Sequence, residues 1–240
     1  MTNQSEQMIL PKEEEMDTIL SNLAAERASE LDAEYVTHEE FWKDMGLVNK
    51  LDREFYNRPT LDVARDLVGK VLVHKGLSLR ITETEAYIGD IDKACHCYKG
   101  RITERTRVMF GPPGFSYIYL IYGMYNCFNI VTERKGCGCA VLIRGGIPLD
   151  GRDEMSMYRF KKPYVELSGY QKRNFANGPG KLCMALNLTR DQNSIDLLGD
   201  ELYLYDDGYT EFDIEIGKRI NIDYAEEAKD FMWRFRMNPA

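Results

Sequence analysis

The stretch that most constrains the fold runs from Leu77 to Tyr87, where apolar and polar residues alternate. This pattern predicts a β-strand, in which side chains two positions apart lie on one face. On that face the sequence aligns Leu77, Leu79, Ile81, Glu83, Glu85 and Tyr87. A carboxylate that follows an apolar face loses hydration, which raises its pKa and makes it a better base. A solvated strand end would carry the same two glutamates, so the pattern alone leaves both interpretations open.

A β-hairpin is predicted further along the chain, from Phe115 to Ile121 and from Tyr125 to Val131. Both runs are rich in aromatic and β-branched residues, and Gly123 separates them, which is typical of two strands joined by a tight turn. Tyr122 would then lie at the tip, an unusual place for an exposed aromatic residue.

A loop rich in cations connects the first strand to the hairpin. Its basic residues are Lys99, Arg101, Arg105 and Arg107. Basic groups next to flat aromatic rings suit a nucleic acid, because phosphates meet the cations and bases stack on the rings. Tyrosines at this density also occur in ordinary β cores, so the rings alone decide nothing.

Motifs along this region carry a resemblance to a known family. They are Arg80–Tyr87 (RITETEAY), His96, Met109–Gly114 (MFGPPG), Tyr117–Met124 (YIYLIYGM), Asn129, Leu142–Arg144 (LIR) and Asn177–Leu182 (NGPGKL). In this order they resemble the 3-methyladenine (alkyladenine) DNA glycosylase family, from residue 51 to residue 237. The resemblance implies an α+β fold: a single domain with a curved mixed or antiparallel sheet surrounded by helices, carrying a β-hairpin that inserts into DNA.

The resemblance also implies roles for individual residues. Glu85 would be the general base that deprotonates a water, and Arg144 would help to hold that water. Tyr122 would enter the duplex as a wedge. The base pocket would be formed by Tyr87, His96, Tyr119, Asn129 and Leu142. Asn129 would obstruct the 2-amino group of normal guanine.

Contacts to the DNA backbone are expected from Arg101 and Arg105 in the basic loop, and from Lys181. Lys181 follows Asn177-Gly-Pro-Gly180, where Pro179 near the first turn of a helix leaves free backbone N–H groups.

The function implied is a monofunctional DNA glycosylase of base excision repair. It would flip alkylated or deaminated purines, of the 3-methyladenine and hypoxanthine type, out of double-stranded DNA and hydrolyse the N-glycosidic bond to leave an abasic site. Neither a cofactor nor a metal is required, and nothing indicates a lysine nucleophile. A carbohydrate hydrolase using Glu83 and Glu85 as a carboxylate pair, and a damage-binding module without turnover, are the alternatives.

The formal net charge of −8 is unevenly spread. Residues 1–50 hold 12 acidic and 4 basic residues, a net −8, whereas residues 51–190 hold 14 and 22, a net +8. The motif-bearing segment is thus basic, as phosphate binding requires. Residues 1–50 are expected to form an acidic, partly helical extension preceding a catalytic domain at 51–240. Its apolar residues at helical spacing are Met16, Ile19, Leu20 and Leu23, and a solvated extension is favoured over a partner-binding segment.

Six cysteines include two Cys-x-Cys pairs, Cys95/Cys97 and Cys137/Cys139. Zinc sites usually leave two to four residues between paired cysteines, so we expect reduced, mostly buried thiols and no metal. The sequence has no long apolar run, which predicts neither a membrane span nor a secretory signal. We expect a cytoplasmic monomer with no membrane partner, associated with the nucleoid if the source is bacterial.

Further elements are predicted from caps and short apolar runs. The helices expected are one capped by Thr60 and reaching Leu67, one over Pro148–Tyr158, one after Pro179, and a last one begun by Asp223 with Glu226. The additional strands expected are Val71–His74, Ala140–Arg144, Leu202–Tyr205 and Phe212–Ile216.

Overall fold

The computed structural model describes Thr37 and residues 49–239. The extension predicted for residues 1–50 therefore lies almost wholly outside the described residues, and its helical character stays a prediction. The described strands are β1 (Asn49–Lys50), β2 (Val71–His74), β3 (Leu77–Tyr87), β4 (Ser116–Ile121), β5 (Tyr125–Thr132), β6 (Cys139–Pro148), β7 (Leu202–Asp206), β8 (Phe212–Gly217) and β9 (Arg234–Pro239). The described helices are α1 (Arg53–Tyr56), α2 (Thr60–Asp66), α3 (Arg152–Phe160), α4 (Gly169–Arg173) and α5 (Pro179–Ala185).

The fold is α+β, as predicted, and the strands form one curved sheet. The main path of the sheet is β1-β7-β2-β3-β6-β5-β4, and β9 pairs with both β3 and β8. Every pairing is antiparallel, including those of β3 with β2, β6 and β9. Across the described ranges the helices are few and short, so they cover parts of the sheet without surrounding it, and each is too short or too polar to cross a lipid bilayer.

β3 is the strand around which the sheet is built, and its two halves have different neighbours. β6 runs along one edge of β3 for nearly its whole length. On the other edge, β2 pairs with Leu77–Arg80 and β9 pairs with Glu83–Glu85. The bounds of β3 and β2 are those predicted from the sequence.

The ladder between β3 and β6 is irregular on both sides of Glu83. Thr82 has no partner between Ile81 and Glu83, and on β6 Arg144 has none. An extra residue of this kind is a β-bulge, which turns the following side chains to the other face of the sheet. The residues that reach the core are Leu77, Leu79 and Ile81 before the bulge, and Thr84 and Ala86 after it.

The prediction of one continuous face along β3 is therefore wrong. Glu83, Glu85 and Tyr87 still share a face, but it is opposite to the face of the preceding leucines. The physical reason is the bulge, since strict alternation holds only within an uninterrupted ladder.

The main hydrophobic core lies between the sheet and helices α2 and α5. Val63 and Ala64 of α2 and Leu182 and Ala185 of α5 are fully buried in it. The Oγ1 hydroxyl of Thr84 donates to the backbone carbonyl of Ala64 at 2.6 Å, which ties α2 to the second half of β3. The opposite face of that half is left free for a cavity.

The predicted hairpin is formed by β4 and β5, paired from Ser116 with Ile130 to Ile121 with Tyr125. Tyr122 and Gly123 both have positive φ, 54° and 70°, as in the type I′ turn that matches the twist of a hairpin. The side chain of Tyr122 is 74% exposed. Its place at an exposed tip is thus confirmed, whereas insertion into DNA stays a prediction.

Three predictions about helices need correction. Thr60 is the first helical residue of α2 and not its cap, because its hydroxyl bonds Thr132 and Glu133 instead of the helix backbone. The helix predicted over Pro148–Tyr158 spans Arg152–Phe160 instead, because β6 continues to Pro148. Asp223 and Glu226 begin no α-helix: a short 3₁₀ turn covers Glu226–Asp230 without a side-chain cap, and β9 follows.

Candidate active site

A cavity of about 710 Å³ lies on the free face of β3, β6, β5 and β4. Its walls are aromatic in large part, with Tyr87, His96, Tyr117, Tyr119, Tyr122, Tyr125 and Tyr224. Its volume falls in the range typical of small-molecule sites. All five predicted base-pocket residues line it, and so do Arg144 and Tyr122.

The register of the sheet explains how distant residues meet in this cavity. Glu85 on β3 pairs with Leu142 on β6, Leu142 pairs with Asn129 on β5, and Asn129 pairs with Tyr117 on β4. Directly paired residues of an antiparallel sheet lie side by side on one face. One row across four strands thus contains the predicted general base, Glu85, and three residues that line the cavity.

Glu85 is fully buried and is not among the residues that line the cavity, but Tyr87, Leu142 and Arg144, which surround it, do line the cavity. Its Oε1 accepts the backbone N–H of Ile220 at 2.8 Å, and its Oε2 accepts the hydroxyl of Tyr87 at 2.8 Å. The guanidinium of Arg144 is farther, with Nη1 3.4 Å from Oε2. Burial raises the pKa of Glu85 above its ordinary value of 4.5, although Arg144 and the two hydrogen-bond donors lower it.

Glu83 lies two residues earlier in a different environment. Its Oε1 accepts from Arg144 Nε at 3.1 Å and from Arg234 Nη1 at 3.2 Å. Two arginines therefore compensate the charge of Glu83, whereas the carboxylate of Glu85 has one distant guanidinium and is desolvated. The two glutamates are chemically distinct, and Glu85 is the better base.

His96 contacts two tyrosines of the cavity. Its Nδ1 lies 2.8 Å from the hydroxyl of Tyr117, and its ring packs edge-on against Tyr119 with 4.7 Å between ring centres. Burial and then the charge of Arg105 lower the pKa of His96 to about 4. At neutral pH the ring is uncharged, so it offers one donor and one acceptor and does not repel a cationic base.

Asn129 and Leu142 are buried in the cavity wall. The Nδ2 group of Asn129 donates to the carbonyls of Tyr117 and Cys127, at 3.0 and 3.2 Å. These bonds fix the amide plane of Asn129. Among the described contacts of this side chain, Oδ1 makes no hydrogen bond. Cys127, which sequence reasoning placed only among buried thiols, also lines the cavity.

The three cations expected on the DNA backbone lie around the cavity. Arg105 and Lys181 line it, and Arg101 lines an adjoining cavity of about 480 Å³ that shares His96 and Arg105 with the first. Lys181 Nζ donates to Asn177 Oδ1 at 2.8 Å and to Asn174 Oδ1 at 3.3 Å. Close packing of Gly180 against the Tyr125 ring, where a Cβ would lie only 3.0 Å away, fixes α5 beside the hairpin.

One wall of the cavity was missed by sequence reasoning. It comes from the segment Ile220–Tyr224, whose residues Ile220, Asn221, Ile222 and Tyr224 all line the cavity. No periodicity marks this segment, and the capping pattern assigned to Asp223 pointed to a helix.

The six cysteines are free thiols, and all but Cys137 are buried. Cys95 Sγ lies 3.7 Å from the carbonyl of Gly138, so the two Cys-x-Cys segments pack together. Within residues 49–239 and Thr37, no group of three His, Cys, Asp or Glu side chains has the arrangement of a metal site.

The chain matches a protein-family model described as methylpurine-DNA glycosylase (MPG) over residues 54–239. It is 58% identical over 190 residues to a protein of Alkaliphilus oremlandii, covering 78% of this chain and 94% of that one. It is 53% identical over 193 residues to a Clostridium perfringens protein and 50% identical over 192 residues to a Desulfitobacterium hafniense protein, with 78% of this chain and 94% and 95% of theirs covered. Each of the three bears the name "Putative 3-methyladenine DNA glycosylase".

The sheet, the hairpin and the cavity thus define an α+β protein with one aromatic-lined pocket beside a β-hairpin. With the family model matching more than two thirds of its length, this chain belongs to the methylpurine-DNA glycosylase family.

Proposed function

We propose that this protein is a monofunctional DNA glycosylase that excises alkylated purines, and hypoxanthine, from double-stranded DNA. The observation that carries the proposal is the position of Glu85, a buried carboxylate with a raised pKa that contacts Tyr87 and Arg144 in the lining of an aromatic cavity. Family membership supports the general class, a repair hydrolase acting on N-glycosyl bonds of alkylated bases. We infer the substrate range, the duplex preference and the roles of individual residues from the site.

Recognition of the damaged base is assigned to the aromatic walls. Alkylation leaves a purine electron-poor or cationic, and such a ring stacks favourably on the electron-rich faces of Tyr87 and Tyr119. The neutral ring of His96 adds a hydrogen bond without repelling the positive charge. Asn129 stands in the wall where it would obstruct the 2-amino group of guanine.

Access to the base requires that the nucleotide leave the stack. Tyr122, exposed at the hairpin tip and also part of the cavity rim, would fill the space that the base vacates. Arg101, Arg105 and Lys181 would hold phosphates on either side of the extruded nucleotide.

Hydrolysis is assigned to Glu85 and Arg144. Ionised Glu85 takes a proton from water as the water oxygen bonds to the sugar carbon and the C–N glycosidic bond breaks, while its charge stabilises the oxocarbenium-like transition state. The electrons of the C–N bond leave with the purine, so a cationic alkylated purine departs neutral, and hypoxanthine departs as an anion that takes a proton from solvent. The contact between Glu85 and Arg144 is the longest of those made by the carboxylate, at 3.4 Å. The water would therefore enter on this side, where it can bridge the carboxylate and the guanidinium.

A single-turnover assay tests the function. Duplexes containing 3-methyladenine or hypoxanthine should release the free base and keep an intact strand with an abasic site, whereas undamaged duplex should not react. Borohydride should trap no covalent adduct. An adduct lost in Lys181→Gln would indicate a lysine nucleophile instead, because Lys181 lines the cavity. Binding without release would favour a damage-binding module, and activity on glycans alone a carbohydrate hydrolase.

A further inference from the structure

Buried Arg219 joins three parts of the chain that surround the cavity. Its Nη1 donates to the carbonyl of Ala86 at 2.9 Å, and its Nη2 donates to the carbonyl of Ala228 at 3.1 Å. Both nitrogens also donate to the carboxylate of Asp92, and the side chains of this ion pair are fully buried. The guanidinium of Arg219 thus connects the end of β3, the loop that follows β3 and the 3₁₀ turn at Glu226–Asp230.

Asp92 extends this network towards the cavity. Its Oδ1 accepts the N–H of Ala94 at 2.9 Å, and its Oδ2 accepts the N–H of Ile88 at 3.4 Å. Ala94 lines the cavity, and His96 follows two residues later. The ion pair therefore fixes the loop that brings His96 to the base pocket.

The face of Arg219 is covered by two aromatic rings. Its guanidinium carbon lies 4.7 Å from the ring centre of Tyr87 and 5.0 Å from that of Trp233. A planar guanidinium stacks on such rings, whereas a lysine ammonium cannot reproduce the geometry. Arg219 thus supports the ring of Tyr87, whose hydroxyl donates to Glu85.

The backbone next to Arg219 reaches the buried carboxylate. The N–H of Ile220, the following residue, donates to Glu85 Oε1 at 2.8 Å. This bond favours the ionised form of Glu85, and it exists only while the 219–220 peptide keeps its orientation. The side chain of Arg219 anchors that peptide through four hydrogen bonds.

We propose that Arg219 is a positioning residue for base excision: it sets the ring of Tyr87 and aims the N–H of Ile220 at Glu85. The inference rests on the proposed function and deepens it, since Arg219 would act through two groups already assigned to the site. It does not touch the substrate and is not among the residues that line the cavity.

Glu85 has several charged and titratable neighbours that must stay constant in a test. They are Glu83 and Tyr87 on β3, Arg144 on β6, Cys127 on β5 and Arg219 itself, with Arg234 of β9 bound to Glu83. Arg219→Lys keeps the positive charge and leaves all the others in place. It removes the fork that donates to several acceptors at once.

The chain offers a matched control in Arg80. Arg80 donates to both oxygens of Asp207, at 2.9 and 2.7 Å, and to the carbonyl of Gly69 at 2.7 Å. Its guanidinium carbon lies 4.1 Å from the ring of Tyr209. The chemistry is that of Arg219, but Arg80 is absent from the cavity lining.

The experiment compares the full-length parent, Arg219→Lys and Arg80→Lys. Single-turnover excision by Arg219→Lys should fall by about tenfold or more, because small misplacements of reacting groups have effects of this size. The acid limb of its pH–rate profile should move up by roughly one unit, since a hydrogen bond to the ionised carboxylate is lost. Arg80→Lys should lose similar thermal stability and keep the parental rate and acid limb.

A second measurement does not depend on excision. In protein labelled with ¹³C at glutamate carboxyls, with Glu85→Gln assigning the resonance, Glu85 should titrate at higher pH in Arg219→Lys than in the parent or Arg80→Lys. If the parent releases no damaged base, the proposed function fails, and this titration still decides the inference.

Asp92→Asn and its matched control Asp207→Asn cover the case in which Arg219→Lys does not fold. Asp92→Asn keeps the guanidinium of Arg219. It should raise the pH at which Glu85 titrates by less than Arg219→Lys does, and Asp207→Asn should leave that pH unchanged. An unchanged Glu85 titration in the folded variants of this ion pair, or equal losses of rate in the Arg219 and Arg80 variants, would overturn the proposal.

Discussion

The first half of β3 and the second half use the same backbone for opposite purposes. Leu77–Ile81 lies against β2 and sends its alternate apolar side chains into the core. In the second half, Glu83–Glu85 pairs with β9, and Glu83, Glu85 and Tyr87 share the face opposite to the core, where Tyr87 lines the cavity. The bulge at Thr82 separates the two, and it teaches that a single extra residue can place a reactive group on the face opposite to the apolar side chains that precede it.

The largest expected effect comes from the second half of the strand. Glu85→Gln should lower single-turnover excision by about 10²–10⁴-fold, because the variant lacks the proposed general base that activates water. Binding of a damaged duplex should stay within a few-fold of the parent, as measured by titration with the same DNA. Turnover close to the parental rate would remove Glu85 from the mechanism.

A substitution in the first half of β3 should lower the stability of the fold and leave the excision rate unchanged. Ile81→Ala should lower the free energy of unfolding by about 2–5 kcal/mol, because a fully buried side chain leaves a cavity. The excision rate of the folded protein should be unchanged. Denaturant unfolding and single-turnover rates at low temperature check both. A rate loss comparable to that of Glu85→Gln would mean that the halves are not separate.

The pH dependence should distinguish the two roles of the Glu85 carboxylate. Its pKa in the folded protein is raised above 4.5, chiefly by burial. In the proposed mechanism excision needs the ionised form of Glu85, so the rate should fall as the pH falls through this raised pKa. The effect on stability has the opposite sign. Because the pKa of Glu85 is higher in the folded than in the unfolded protein, the stability that Glu85 contributes is fully present below the pKa of the unfolded state, and it is lost as the pH rises through the pKa of the folded state.

Unfolding of the parent and of Glu85→Gln between about pH 4 and 8 measures this contribution. The stability of the glutamine variant relative to the parent should increase with pH. A decrease would show that the ionised carboxylate is stabilised by the fold, and that its pKa is not raised.

The hairpin tip should show a substrate-dependent effect. Tyr122→Ser should weaken capture of a duplex lesion by more than capture of an unpaired lesion, since unstacking requires a few kcal/mol only in the duplex. Val165, exposed to a similar degree and absent from the cavity lining, gives the control Val165→Ser. Equal losses on both substrates would indicate that Tyr122 only packs against the cavity rim.

The smallest effect is expected outside both halves of β3. Removing residues 1–48, which keeps β1, takes away 12 acidic and 3 basic residues, a net −9. Affinity for DNA should then rise at low salt by a few-fold and converge with the parent above about 0.1 M, where charges are screened within about 10 Å. Excision at saturating DNA should not change. A loss of folding would show instead that the extension completes the core.

Much of this arrangement could be predicted from local patterns. The strands β2 and β3, the hairpin and the exposed position of Tyr122 follow from alternation and turn residues. That the five predicted base-pocket residues lie in one cavity could be predicted only from the resemblance to a known family, because no local rule gives the register of four strands.

The bulge could not be predicted from β3, where Thr82 continues an unbroken alternation. Its signal lies on the partner strand, in Gly145 and Gly146. A Cβ on Gly146 would come within 2.4 Å of Leu79, and one on Gly145 within 3.1 Å of Thr82. Two consecutive glycines in a strand indicate such an irregularity.

Two other features were missed for different reasons. The alternation of Arg234, Phe235, Arg236 and Met237 is a strand signal, but the capping pattern before it favoured a helix. The wall formed by Ile220 and Tyr224 has no local signal, because tertiary hydrogen bonds from Arg219 determine its path.

The bond between Ile220 and Glu85 also sets an order of events during synthesis on the ribosome. Its two residues are 135 positions apart, and Arg234, which compensates Glu83, comes later still. A nascent chain therefore carries the acidic end of β3 through most of translation without the N–H group and the edge strand that complete its surroundings. A chain released before Ile220 would lack one wall of the cavity and one donor to its carboxylate, so premature termination should yield fragments unable to excise a base.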